Sequence, residues 1–158
     1  MSLEKVVPLT GKEGHEYFIQ FSLFNQEVLP ATYNIDIIDL VITLVDDKRN
    51  GFNSASTLFQ ISACIKEYLE DNNVVLYCYC DNKHIDRNKN KAHLSPQQYR
   101  SKLFSKMFDK GDDKTYTNSL IVIGDPANQD HYIHLISKKS NQTIIDVIAA
   151  DIKGFDNK

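Results

Sequence analysis

The chain has no tryptophan, only three cysteines and six glycines, and no apolar run long enough to cross a bilayer. Each scarcity removes a class of protein. Cys64, Cys78 and Cys80 are odd in number, and the last two stand one residue apart, a poor spacing for mutual bridging. Reduced thiols in a cytoplasm are expected. The glycines sit at ends and turns and build no G-x-G-x-x-G or Walker loop, and G-x-S-x-G and H-E-x-x-H are missing as well. Nucleotide-binding and familiar hydrolase readings lose support. A membrane-spanning helix needs roughly 20 apolar residues, and a secretory leader needs a basic stretch followed by an apolar one. The sequence offers neither, so it reads as soluble and cytoplasmic, without a membrane partner.

What is present is ordinary globular material: 158 residues, 42% hydrophobic and 25% charged, the size of one domain with one core. A chain of this length buries roughly 70% of the surface its unfolded form exposes, so neither a disulfide nor a structural metal is required. No cofactor is implied. Residues 1–14 and 155–158 are expected to be loosely ordered around that single domain. The net charge of -3 divides unevenly. Residues 82–110 hold eight Lys/Arg against two Asp, a balance of +6, and the remainder holds 10 against 19, or -9. One basic segment on an acidic body can steer an anionic partner.

Periodicity supplies the elements. YFIQFSLF, residues 17–24, places Tyr17, Ile19, Phe21 and Leu23 on one face of a strand. EVLPATY, residues 27–33, carries Pro30, which cannot donate to a ladder and so predicts an edge strand. In IDIIDLVITLVDD the polar residues recur at helical spacing, yet seven of the eleven residues from Ile35 to Val45 are β-branched, which predicts a strand over Ile38 to Val45. A turn cluster follows at Lys48 to Gly51. Asn53 or Ser54 can cap a helix with Leu58, Phe59, Ile61, Ala63, Cys64, Ile65, Tyr68 and Leu69 on its apolar face.

VVLYCYC, Val74 to Cys80, is apolar on both faces and reads as a central strand. A polar loop from Asp81 to Leu94 leads to Ser95-Pro96-Gln97-Gln98, a capping box that opens a helix stopped by Gly111. A hairpin over 118–138 and a last helix closed by Gly154 complete the order β-β-β-α-β-α-β-β-α. Strands grouped in hairpins with few crossovers predict an α+β fold, a mostly antiparallel sheet with three helices packed on it.

Thr57, Ile61 and Ile65 in the first helix, Tyr77, Cys80-Asp81 and Asp86-Arg87 after the central strand, Arg100, Phe104 and Phe108 in the second helix, and Tyr132, Leu135-Ile136 and Asn141 near the end carry a resemblance. The pattern resembles an uncharacterised bacterial family classed only as a domain of unknown function. It covers roughly the last two thirds of the chain, with a longer loop after Asp81 and Gln142 where the pattern has proline. The resemblance implies the fold and no activity.

Chemistry concentrates where the central strand ends, in C-Y-C-D-N-K-H-I-D-R. Asp81, His84, Asp86 and Arg87 could hold a divalent cation, work as acid and base in a small hydrolase or nuclease, grip a phosphate, or simply end the strand and pair locally. Cys78-x-Cys80 lacks the C-x2-C spacing of a zinc pair and reads as two small buried residues. His131 and His134 stand three apart on a predicted strand and so point to opposite faces, which disfavours joint ligation; no metal is expected. Arg87, Lys89 and Lys91 in the loop, with Arg100, Lys102 and Lys106 on the second helix, form a basic surface for an acidic protein or nucleic acid, against the plain reading of a solvated face. Tyr99, Phe104 and Phe108 look committed to the core, which removes stacking partners for single strands. A homo-oligomer joined through an apolar sheet face or edge is the third reading.

Overall fold

A computed structural model gives the fold and describes residues 3–11, 16–29, 32–44, 55–80, 93–109, 115–127 and 130–156. Six strands, β1 (Lys5–Thr10), β2 (Glu16–Leu23), β3 (Asp36–Leu44), β4 (Val74–Cys80), β5 (Tyr116–Ile123) and β6 (His131–Lys138), lie in the order β1-β2-β3-β4-β6-β5. Three helices join them: α1 (Ala55–Asp71), α2 (Pro96–Asp109) and α3 (Gln142–Asp156). The sheet is antiparallel except for β3 and β4, so the chain has the expected α+β class and element order.

Residue alternation decides which helix covers which face. Ile38 and Leu40 of β3 and Val74, Leu76 and Cys78 of β4 meet Ile61, Ile65, Tyr68 and Leu69 of α1 and Phe104 and Phe108 of α2. The intervening residues Ile37 and Val75, with Ile121, Ile133 and Leu135, meet Ile145, Ile148 and Ile152 of α3. A strand buried on both faces must be apolar throughout, which is why β4 reads as an unbroken apolar run. Tyr68 stacks on Phe21 at 3.9 Å and donates to the Leu3 carbonyl at 2.7 Å, tying α1 to the first residues of the sheet's edge.

Three local expectations change. Lys5–Thr10, inside the segment expected to be loose, is the edge strand β1, paired from Lys5↔Phe21 to Thr10↔Glu16. The 27–33 strand is absent among the described residues, and Gln26–Val28 forms a short 3-10 turn with Asn25 Oδ1 accepting from the Glu27 N–H at 3.1 Å. An Asx cap here satisfies the backbone locally and removes the need for a ladder. On α1, Phe59 and Ala63 lie four apart on a stripe that faces solvent, so the apolar face is narrower than the sequence implies. The Lys48–Gly51 turn, the Asn53 or Ser54 cap, Pro30 and Gly111 lie outside the described residues.

Candidate functional site

One end of the sheet, where β3, β4 and β5 finish and β6 begins, gathers the polar chemistry. The parallel ladder of β3 and β4 spans Asp36↔Val74 to Asp39↔Tyr77, while β3 runs on beside β2 to Leu44. At its last rung Asp39 and Tyr77 face each other. Loss of hydration raises the Asp39 carboxyl above its usual range and, with the Asp39 charge and the neighbouring Tyr79 and Cys78 adding to it, pushes the Tyr77 phenol up to about 12.

An open cleft of about 540 Å³ lies at the head of α2, lined by His93, Leu94, Ser95, Pro96, Gln98, Asp130 and Tyr132. Ser95 builds it. Its Oγ accepts from the Gln98 N–H at 3.2 Å and its carbonyl from the Tyr99 N–H at 2.9 Å, with Pro96 as the first helical residue. Gln97 Nε2 donates to the Asp130 carbonyl at 3.1 Å and locks the helix head to β6.

Beneath α2, His134 is wholly buried between Ser101 and Asn118, with Nε2 2.9 Å from Ser101 Oγ and Nδ1 2.8 Å from Asn118 Oδ1. Phe104 packs on the ring at 4.7 Å. On the opposite face of the sheet, Tyr79 Oη lies 2.6 Å from His131 Nδ1, and His131 Nε2 lies 2.8 Å from Asp125 Oδ2. The two histidines therefore stand on opposite faces, each with its own partners and neither with the other.

The sequence-derived candidates distribute as follows. Asp81, His84, Asp86, Arg87, Lys89 and Lys91 lie outside the described residues. Lys102 and Lys106 are exposed one turn apart on α2, whereas Arg100 is half-buried and off their stripe, so helical geometry divides that basic trio. Cys78 and Cys80 are buried and form no disulfide, as two small core residues would. Among the described residues no three His, Cys, Asp or Glu side chains converge as metal ligands. Missed in the sequence were the partners of both histidines; the only usable signal was strand alternation, which sets Tyr79 and His131 on one face.

No protein-family model matches the chain, and no curated protein matches it. It is similar to a solved structure described as "a putative phosphinothricin N-acetyltransferase", with 11% identity and a TM-score of 0.44 over 87% of this chain and 73% of that one. A likeness this distant carries no argument about function.

Proposed function

We propose that the chain is a binding module for an anionic partner, an acidic protein or a nucleic acid strand, which seats part of itself in the cleft at the head of α2. The cleft carries the reading. Its volume falls in the usual range for ligand sites, and the first turn of α2, at the positive end of the helix dipole, forms one wall of it. The surrounding sequence supports the same sign of ligand, since residues 82–110 carry +6 on a chain of -3. Asp130, a residue of the same cleft, opposes it by its charge.

The test follows from that opposition. Replacing Arg87, Arg100, Lys102 and Lys106 together with glutamate should abolish salt-sensitive retention on heparin, and Asp130→Asn should tighten binding by about two- to fivefold, the worth of one charge at a helix end. Titrating polyglutamate and, separately, a single-stranded oligonucleotide into labelled protein should shift the amides of Leu94, Ser95, Gln97 and Gln98. Retention unchanged by the fourfold reversal, or shifts confined to other elements, would overturn the reading.

A further inference from the structure

Asp125, His131 and Tyr79 lie on the sheet face away from α2 and have no part in the anion cleft. Asp125 can only accept, so His131 Nε2 donates to it, and the neutral ring then presents Nδ1 as the acceptor for the Tyr79 hydroxyl. Asp125 is fixed in turn by the Ala127 N–H, which donates to its Oδ1 at 3.1 Å. A hydroxyl bonded to a base that a carboxylate orients is the arrangement that activates an oxygen nucleophile.

Ser101, His134 and Asn118 repeat the pattern, and comparison of the two decides between structure and chemistry. Ser101 is 3% exposed and His134 not at all, so no substrate reaches them. Tyr79 is 43% exposed, and the His131 and Asp125 side chains are 31% and 25% exposed. Only the second set meets solvent. Its backbone is also well fixed: Tyr79 sits opposite Ile133 in the β4–β6 ladder, which makes His131 its diagonal neighbour on the same face.

We propose that Tyr79 is an acyl-accepting nucleophile, activated by His131 and Asp125, whose substrates are esters or thioesters. The Tyr79 oxygen bonds to the carbonyl carbon, the bond to the leaving oxygen or sulfur breaks, and the phenol proton passes to His131 Nδ1. The imidazolium so formed faces the Asp125 carboxylate and returns its proton to the leaving group. The product is a phenyl ester, still open to attack. Water or an amine then takes the acyl group, its proton passing through His131 back to the Tyr79 oxygen.

The probe is p-nitrophenyl acetate, which needs no knowledge of the natural substrate, incubated with the full chain and followed by p-nitrophenolate release and peptide mass spectrometry. Acetyl should appear on Tyr79 ahead of Tyr77, Tyr132 and the lysines, and Tyr79→Phe should remove that adduct. His131→Ala and Asp125→Asn, each checked for native amide spectra, should slow it by about tenfold or more. The wild-type rate should show a pH dependence that His131→Ala lacks, a difference that a merely structural histidine would not impose. Acetylation of Tyr79 at an equal rate in His131→Ala, or adducts on lysines with Tyr79 unmodified, would sink the proposal. No polyanion enters this experiment, so its failure would leave the anion-binding reading untouched.

Discussion

Burial drives the His134 imidazole down to about 4, because the ring loses hydration between β6 and α2 and must stay neutral to accept from Ser101 Oγ. In the unfolded chain the same group titrates near 6.5. Between these values the unfolded chain holds the extra proton, so stability is fully present above about pH 6.5 and falls as pH drops toward 4, by about 3 kcal/mol over the window. Asp39 works the other way, since its raised carboxyl favours the fold as it gains a proton. Urea unfolding at pH 7 and pH 4.5 should show the loss, and His134→Gln should flatten it; a wild-type profile flat across that window would contradict neutral burial. Ser101→Ala leaves His134 Nε2 without that donor in a dry site, and should cost about 1–3 kcal/mol at pH 7.

At the scale of elements, α2 depends on its first turn, where Ser95 closes the helix head that also walls the cleft. Ser95→Ala should lower stability by about 1 kcal/mol, read by denaturant midpoint at unchanged slope, while Ser95→Asp should retain most of it. This start was legible because a cap, a proline and a glutamine at fixed offsets need no tertiary partner. So was β3, where β-branched crowding outweighed polar residues at helical spacing, and Asp36–Leu44 is a strand with Ile37 and Ile38 buried on opposite faces. The edge strand was misplaced for a physical reason. Proline marks an edge, but two segments carry one, and KVVPLT, with Pro8 opposite Phe18, is the one that pairs. The histidine partners were illegible, since Ser101 and Asn118 lie 33 and 16 residues from His134, and Tyr79 lies 52 from His131. Register and helix docking alone bring such groups together.

For the whole molecule, three helices cannot cover both faces of six strands. α1 and α2 take one face, and α3 takes the other over β4, β5, β6 and the start of β3, with Thr117 Oγ1 donating to Gln142 Oε1 at 2.7 Å to fix its start. The remaining ground is the outer face of β1, β2 and the later part of β3, where Val6, Phe18 and Val41 are 57%, 42% and 41% exposed. They are neighbours there, since Gln20 stands between Val6 and Val41 in register and Phe18 lies two residues along the same strand face. Side chains left this open lose little water on folding, so Phe18→Ser with Val41→Thr should change the unfolding free energy by no more than about 1 kcal/mol, whereas Ile65→Ala in the covered core should cost about 2–5 kcal/mol. The double variant should also bind an apolar fluorescent dye less than wild type, because the same residues form the patch the dye would find. A large stability loss with unchanged dye binding would mean that this face is packed rather than open, and the division of the sheet between three helices would have to be redrawn.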